Sequence, residues 1–148
     1  MENIEKIIFH LAIPIGDVTI AKKFYHELLE AKVGRENDSA VIFDFFGHQI
    51  VGHVSKEELI PQKGIYPRHF GIVFTKESDW DSFLNSCLSK GISFYQEARV
   101  RFTGKITEHK TFFLQDPFYN ILEFKFYRHY EAIFGASNFT QVGDRYSY

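Results

Sequence analysis

The alternation of apolar and polar residues predicts a strand, a helix and two further strands in the first part of the chain. The apolar run at residues 7–13 is typical of a strand, which Pro14 and Gly16 would end. Asp17 or Thr19 can cap the helix that follows. The apolar stripe expected on this helix consists of Ile20, Phe24, Leu28 and Leu29. Gly34 is expected just past the end of this helix, and two strands are expected at 40–45 and 49–54.

The same order of elements recurs in the second part of the chain. Aligning His10 with His69 also aligns Phe24 with Phe83. The second copy is predicted to begin with a strand at 68–74 and to continue with a helix that Ser78 or Asp79 caps. Gly91 is expected to end this helix. Its apolar stripe is expected to consist of Trp80, Phe83, Leu84, Cys87 and Leu88. The strands predicted to follow lie at 93–101, 107–114 and 120–127.

A repeated strand–helix–strands order predicts an α+β fold of two βαβββ modules, whose mixed sheets form an open, barrel-like cleft. The 148 residues suit one domain. The first module is expected at about 5–55 and the second at about 68–127. A linker with two prolines and a glycine, 56–67, would join them, and a tail, 128–148, would follow. The Tyr and Phe residues of the tail suggest that it packs against something, for example a partner subunit.

Composition and charge narrow the range of functions. Hydrophobic residues make up 45% of the chain, which is enough for a packed core. A net charge of -2 argues against nucleic acid as the main partner. No apolar run approaches the ~20 residues that span a membrane, and the start of the chain does not have the pattern of a signal peptide. The single cysteine, Cys87, favours a reducing compartment, so a cytoplasmic location is expected.

Aromatic residues make up an unusual 18% of the chain, with 17 Phe and 8 Tyr. They fit either a sheet-rich interior or an aromatic-lined pocket. Composition alone leaves both interpretations open.

Three polar residues are predicted to lie on the strand faces opposite the bulky apolar residues. Because side chains alternate along a strand, His10 lies on the opposite face from Phe9 and Leu11. His69 and Glu123 lie on the opposite face from their bulky neighbours for the same reason. Two imidazoles and one carboxylate can hold a divalent metal ion and leave coordination positions for substrate or dioxygen. The alternative is that each histidine is an ordinary hydrogen-bonded core residue.

The sequence resembles the glyoxalase/bleomycin-resistance/extradiol-dioxygenase superfamily, the vicinal oxygen chelate proteins. The resemblance covers roughly residues 5–127. It rests on the opening FHLAIPIGDVTIAKKFYHELL, on the restart RHFGIVF, and above all on DPFYNILEF at 116–124. That last segment is similar to the family signature Asp-Pro-x-Gly-Asn-x-Leu-Glu, with Tyr119 at the position of the glycine.

The resemblance implies a metal site made of His10, His69 and Glu123, with Val51 at the place of a fourth ligand. The metal would be Fe(II), Mn(II), Zn(II) or Ni(II). Val51 cannot bind a metal, so a four-ligand glyoxalase I site loses support, although Gln49 or His53 on the same strand face could substitute. The three-ligand pattern is closer to extradiol dioxygenases and fosfomycin-resistance transferases.

Neither of these two matches is complete. The extradiol enzymes carry a tyrosine where this chain has Phe113, and His109 is only a loose counterpart of their further active-site histidine. The fosfomycin transferases carry a threonine where this chain has Ala12.

Basic residues surround the variable strand of the second module, and exposed strand charges are their simplest explanation. Arg101 is the best candidate for contact with an anion, because a guanidinium binds carboxylate or phosphate bidentately. Glu108 could pair with Arg101 or act as a base. The residues predicted to act in catalysis are Glu123, Glu108 and His109. The residues predicted to bind substrate are Arg101, Gln49, His53 and Phe113.

Three functions follow from the sequence. The first is a metal-dependent enzyme, dioxygenase-like or a glyoxalase-like lyase or isomerase, that acts on a small molecule with vicinal oxygens. The second is a metal-free protein that binds a drug or metabolite, as bleomycin-resistance members do. The third is a pseudoenzyme or interaction module that associates through its tail. A homodimer is common in the family and is expected as a possibility here.

Overall fold

The computed structural model describes residues 6–143 and contains two four-stranded mixed sheets. The chain divides into two compact units. The first comprises the residues up to His69 together with Gln115–Ile121, and the second comprises Phe70–Leu114 and the residues from Leu122 onward. The outermost parts of the predicted first module and tail, residues 5 and 144–148, lie outside the described residues. Within 6–143 no helix is long and apolar enough to span a membrane.

The first sheet has the strand order β1-β4-β3-β2. Its strands are β1 His10–Ile15, β2 Lys32–Glu36, β3 Ala40–Phe45 and β4 His48–Val54. Strand β1 is parallel to β4, and the other neighbours are antiparallel. The predicted boundaries of β3 and, to within one residue, β4 are confirmed. The strand expected at 7–13 instead begins at His10 and continues through Pro14, because Pro14 lies on an edge strand where a missing N–H is tolerated.

Strand β2 was missing from the predicted segments. Its sequence KVGRE lacks apolar alternation, and every residue of it except Val33 is exposed. Gly34 lies inside this strand and not at a helix end. Pairing with β3 therefore makes the strand, and its own side chains carry little signal.

Asp17 begins the first helix, as predicted, and its Oδ1 accepts a hydrogen bond of 2.8 Å from the Ile20 amide. The α-helical part, α1, covers Val18–Lys22 and continues into a π-helical segment at Lys23–Leu28. The buried side chains of the two segments keep the three- and four-residue spacing of one helix face. The buried residues are Ala21, Phe24, Tyr25 and Leu29, whereas Ile20 of the predicted stripe is 45% exposed.

The second sheet has the strand order β5-β8-β7-β6, so its topology repeats that of the first. Its strands are β5 Phe70–Phe74, β6 Phe94–Arg101, β7 His109–Gln115 and β8 Ile121–Tyr127. Strand β5 is parallel to β8. Residues 55–69 contain no helix or strand, and a short 3-10 turn at Tyr130–Ala132 is the only helical piece in the described part of the tail.

Helix α2 covers Glu77–Ser89 and packs on one face of the second sheet. The expected caps, Ser78 and Asp79, are wrong: Lys76 occupies the cap position and no side chain caps the helix. Gly91, with φ of 68°, follows the helix end as predicted. The aromatic rings of Phe83 and Phe124 lie 4.6 Å apart between centroids, and they form the core with Trp80, Cys87, Phe112, Leu114 and Leu122.

Candidate functional site

His10 lies at the start of β1 on the face opposite the core, and its ring is oriented by a residue of the neighbouring strand. The register pairs His10 with Gln49 of β4. His10 Nδ1 and Gln49 Oε1 are 2.6 Å apart. An amide oxygen only accepts hydrogen bonds, so Nδ1 carries the proton and, in the neutral ring, Nε2 carries the lone pair.

His69 directly precedes β5 and is held in an equivalent way. Its Nδ1 lies 2.6 Å from the carbonyl oxygen of Ile65, so that nitrogen again donates. The Tyr66 ring lies 6.0 Å from the imidazole, edge to face. As with His10, a neutral His69 therefore has its lone pair on Nε2.

Three side chains of β4 lie on the same sheet face as His10, because each is the register partner of His10 or of a β1 residue two or four positions after it. Gln49, Val51 and His53 are opposite His10, Ala12 and Pro14. Val51 is 8% exposed, whereas His53 is exposed to solvent. Gln49 thus acts in this structure as the acceptor that orients His10.

Glu123 belongs to the second unit, where it lies on β8 with its side chain 9% exposed. The Thr111 hydroxyl donates a hydrogen bond of 2.6 Å to Glu123 Oε2. The Lys125 ammonium nitrogen is 3.6 Å from Oε1. The carboxylate is therefore both oriented by a hydroxyl and faced by a positive charge.

The backbone of Glu123 lies unusually close to β5. Gly71 is its register partner, and a Cβ added at Gly71 would lie 1.7 Å from the Glu123 carbonyl oxygen. Only glycine allows this approach. Gly71 therefore sets the distance between β5 and the strand that carries the carboxylate.

His109 and Phe113 lie on the same face of β7 as Thr111. His109 is buried, donates from Nδ1 to the Thr107 carbonyl oxygen at 2.9 Å, and packs 5.2 Å from the Tyr127 ring. Burial lowers the pKa of His109, and the positive charge of Lys125 acts in the same direction. The ring is thus held neutral with its lone pair on Nε2.

Arg101 is the register partner of His109 on β6, and its guanidinium lies 4.7 Å above the Phe102 ring. Glu108 pairs elsewhere. Its carboxylate accepts hydrogen bonds from the Gly104 amide at 2.7 Å and from Arg128 Nε at 3.3 Å. The hydrogen bond from Gly104 is the main reason why the pKa of Glu108 is lowered. The structure thus gives Glu108 a role in closing the loop before β7.

Lys110 and Arg128 form an ion-pair network with acidic residues of α2. Lys110 Nζ lies 2.6 Å from Asp81 and 4.5 Å above the Trp80 ring. Arg128 pairs with Glu77, which also accepts from Lys110. The hydrogen bonds from Arg128 are the main reason why the pKa of Glu77 falls to about 2. This network is on the helix side of the sheet, away from the face of Glu123.

The segment DPFYN forms a turn around the buried Asp116, and sequence reasoning did not include this turn among the functional residues. Asp116 accepts hydrogen bonds from the Tyr25 hydroxyl at 2.7 Å, from the Asn120 side chain at 2.7 Å, and from the amides of Phe118 and Asn120. The Asn120 side chain also donates to the Pro14 carbonyl. The Asp-Pro and Asn of the segment are typical of turns and were the available signal.

Tyr119 in this turn has φ of 70°, in the left-handed region. Glycine adopts this conformation without strain, whereas other residues do so at a cost. The structure therefore explains why a glycine suits this position in the signature that the segment resembles. Tyr119 is 42% exposed and is accommodated at the surface.

The donor chemistry of the predicted ligands fits a divalent metal ion. Ligating histidines typically donate their second ring N–H to a carbonyl or carboxylate, and both His10 and His69 do so here. Thr111 supplies the corresponding hydrogen bond to Glu123. Among the described residues no three His, Cys, Asp or Glu side chains are grouped as a metal site. His10 and His69 belong to the first unit and Glu123 to the second.

Two mixed sheets with the same strand order, each packed by a helix, define a protein of two repeated α+β modules. The chain belongs to the Glyoxalase/Bleomycin resistance protein/Dioxygenase superfamily, whose model matches residues 7–124. The resemblance and the fold class predicted from the sequence are thereby confirmed. Members of this superfamily act on small molecules, commonly use divalent metals and are often dimers.

Solved structures support the same assignment. A glyoxalase/bleomycin resistance protein/dioxygenase from Alicyclobacillus acidocaldarius is 40% identical, with a TM-score of 0.83, over 90% of this chain and 100% of that chain. The fosfomycin resistance protein FosX from Listeria monocytogenes is 16% identical, with a TM-score of 0.64, over 87% of this chain and 99% of its own.

Lactoylglutathione lyase from Agrobacterium tumefaciens is 15% identical, with a TM-score of 0.62, over 84% of this chain and 96% of its own. At these identities FosX and the lyase show the fold alone. No curated protein is similar enough in sequence to match.

Proposed function

We propose that this protein is a divalent-metal-dependent enzyme that acts on a small molecule with vicinal oxygens, and that His10, His69 and Glu123 bind the metal. One observation carries the proposal: both imidazoles donate from Nδ1 to a carbonyl-type oxygen, His10 to Gln49 and His69 to Ile65. That hydrogen bond fixes the tautomer in which Nε2 is the metal-binding nitrogen, and it makes that nitrogen more basic.

The carboxylate supports the same proposal. Burying Glu123 is costly unless hydrogen bonds and a positive charge compensate for it. Thr111 already orients one oxygen, and a bound metal would supply positive charge to the carboxylate. Two imidazoles and one carboxylate leave positions for substrate, and a bound metal would supply Lewis-acid or oxygen-binding chemistry.

Other residues of the second sheet have roles in the proposal that follow from their contacts. His109, held neutral by burial with its lone pair on Nε2, accepts a proton from substrate. Phe113 lies on the same sheet face and contributes an apolar wall. Arg101, opposite His109, binds substrate. In the first sheet His53, on the face of His10, contacts substrate. The reaction is of the dioxygenase or the lyase/isomerase type.

A second function is favoured by Lys125. Its ammonium group already supplies a positive charge 3.6 Å from Glu123, so this carboxylate is compensated without a metal. Val51 in place of a fourth ligand points in the same direction. The second candidate is therefore a metal-free protein that binds a small molecule or drug.

Elemental analysis separates the two functions. The protein is purified without added metal, then loaded with Fe(II), Mn(II), Zn(II) or Ni(II), in parallel with His10→Ala, His69→Ala and Glu123→Ala. The enzyme proposal expects one metal per chain in the wild type and loss of metal in all three variants.

Two matched controls keep the comparison specific. His129→Ala and Glu97→Ala remove exposed residues of the same types, and they are expected to keep full metal content. A wild type that stays empty with every metal supports the binding protein. Equal metal content in Glu123→Ala and Glu97→Ala contradicts the proposed ligand set.

Two further features belong to this proposal. We expect the protein to work in the cytoplasm, since its single cysteine, Cys87, is buried in the core. We also expect a homodimer, which light scattering of the purified chain would detect. Apolar side chains of the tail, including Phe134 at 90% exposed, offer surface for such an association.

A further inference from the structure

His10 lies at the end of an edge strand, where packing contributes little to its position. It is the first residue of β1 and is exposed. The three residues before it are apolar and are also exposed: Ile7 at 78%, Ile8 at 57% and Phe9 at 61%. Ends of elements with few buried side chains open locally at a low cost in free energy. The position of His10 therefore depends mainly on hydrogen bonds.

Two consecutive residues of β4, His48 and Gln49, supply these hydrogen bonds. The Gln49 amide donates to the Phe9 carbonyl at 2.9 Å, and the Phe9 amide donates to His48 Nδ1 at 3.1 Å. Gln49 Oε1 accepts from His10 Nδ1 at 2.6 Å. We call His48 and Gln49 the β4 clamp. Both backbone groups of Phe9 and the ring of His10 are thus bonded to this clamp.

The imidazole of His48 acts as an acceptor, unlike the histidines of the candidate site. An amide N–H can only donate, so His48 Nδ1 carries the lone pair and, in the neutral ring, Nε2 carries the proton. His10, His69 and His109 instead donate from Nδ1 to an oxygen. With Nδ1 bonded to the backbone, a neutral His48 has no second lone pair for a metal. Its ring is therefore suited to holding the chain.

A tight turn holds His48 at the start of β4. Strands β3 and β4 are joined by Phe46 and Gly47, with φ of 54° and 83°, and the register pairs Phe45 with His48. The Gly47 amide also donates to Asp44 Oδ1 at 2.8 Å. A two-residue turn with two positive φ angles fits the twist of the antiparallel strands that it joins. The turn therefore fixes the point on β4 from which the His48 ring reaches the neighbouring segment.

We infer that His48 is a positioning residue, which holds the imidazole of His10 in place through the amide of Phe9. His48 fixes the backbone immediately before His10, and the His10 ring reaches Gln49 only while that backbone stays in register. This fixing of the ring depends only on residues of the first unit. Its consequence for metal affinity rests on the proposed function, in which His10 is a ligand.

Two substitutions at His48 separate the acceptor atom from the bulk of the ring. His48→Asn places an amide oxygen at the position of Nδ1, because both atoms are bonded to Cγ, whereas His48→Leu places a methyl group there. His129→Leu removes an exposed histidine of the tail and is the control. Circular dichroism verifies that each variant is folded.

NMR spectroscopy of the chelator-treated full chain measures the His10 ring directly, in mildly alkaline solution where histidine side chains are typically neutral. In the wild type and in His48→Asn, the nitrogen chemical shifts of the ring are expected to place its proton on Nδ1. In His48→Leu, the two tautomers of His10 are expected to be mixed. Exchange of the Phe9 amide with solvent should also be about three- to tenfold faster there, the effect of losing one hydrogen bond between neutral groups.

Competition with a coloured chelator for Zn(II) gives the second readout. His48→Leu is expected to weaken the binding of Zn(II) about three- to tenfold, because the same hydrogen bond is lost. His48→Asn and His129→Leu are expected to bind Zn(II) as the wild type does. Recovery in His48→Asn separates the acceptor from a general effect of changing this residue.

Two results would overturn the inference. One is a His10 ring with unchanged shifts in His48→Leu, and the other is an equal change in His48→Leu and His48→Asn. Failure of the proposed function gives a different pattern. If the wild type binds no Zn(II), or if His48→Leu binds it normally although the His10 tautomers have become mixed, His10 is not a ligand, while the NMR comparison still supports the role of His48.

Discussion

The Tyr25 hydroxyl and the Asp116 carboxylate are 91 positions apart in the chain and are joined by a buried hydrogen bond of 2.7 Å. Tyr25 is fully buried in the π-helical segment that follows α1. Asp116 begins the turn between β7 and β8, and its amide donates to the Asn120 carbonyl to close that turn. The first unit therefore holds the turn that connects the two strands of Thr111 and Glu123.

Removing the Tyr25 hydroxyl is expected to destabilise the protein. In Tyr25→Phe the ring and its contact with Phe43, 5.2 Å between centroids, are retained, and only the hydrogen bond to a buried carboxylate is lost. Hydrogen bonds of this kind contribute about 1.5–3 kcal/mol to the free energy of unfolding. Urea denaturation measures the change. Tyr130→Phe, at a tyrosine that is 66% exposed, is the control, and an equal effect in both variants would contradict a role for the Asp116 contact.

Asp116 is expected to make stability depend on pH in mildly acidic solution. Burial raises the pKa of this carboxyl above 3.8 despite four hydrogen bonds that lower it. The folded protein then holds the proton at a pH where the unfolded chain has released it. This contribution to stability is present at low pH, and it is lost as the pH rises from about 3.8 through the raised pKa of the folded state.

Comparison with Asp116→Asn isolates this effect. The free energy of unfolding of the wild type, minus that of the variant, should decrease as the pH rises through this window. The measurement is urea denaturation at several pH values for both proteins. A difference that increases with pH would show that the hydrogen bonds from Tyr25 and Asn120 outweigh burial.

A methyl group at Gly71 is expected to disrupt the second sheet. Its Cβ would overlap the Glu123 carbonyl oxygen, which is backbone and cannot move as a side chain can. Gly71→Ala should therefore lower the free energy of unfolding by about 3 kcal/mol. Gly64→Ala is the matched control, because a Cβ there meets nothing within 4 Å. If thermal unfolding shows the two variants to be equally stable, β5 and β8 do not approach as described.

The fold was largely predictable, because the residues that determine it carry local signals. The apolar alternation at Ala40–Phe45 marked β3 at its observed boundaries, and Gly91 marked the end of α2. Strand β2 lacked such a signal. Its polar residues are held in a strand by pairing with β3, an interaction that no short stretch of sequence encodes.

The candidate site was predictable in its residue types and less so in the partners of those residues. Alternation marked the face of His10, but the contact with Gln49 depends on the register between β1 and β4. Tyr25 lies outside the apolar stripe that the sequence predicts for the first helix. Four positions separate it from Ala21 and from Leu29, so it lies on the buried face of the helix, where its hydroxyl reaches Asp116.

The contact between Gln49 and His10 provides a test of the proposed metal site that leaves all three ligands in place. In Gln49→Leu the His10 Nδ1 loses its acceptor, so the ring is no longer held in the tautomer that binds metal through Nε2. Loss of such a partner typically lowers metal affinity about 10- to 100-fold. Competition between the protein and a coloured chelator for Zn(II) measures the affinity.

Gln49→Glu is the matched variant, because a carboxylate also accepts the Nδ1 proton and binds it more strongly than an amide does. It should therefore keep or raise the Zn(II) affinity of the wild type while Gln49→Leu loses it. Circular dichroism verifies that both variants are folded. Equal loss in the two variants would show that Gln49 matters through its own contact with the bound group, and unchanged affinity in both would remove His10 from the metal site.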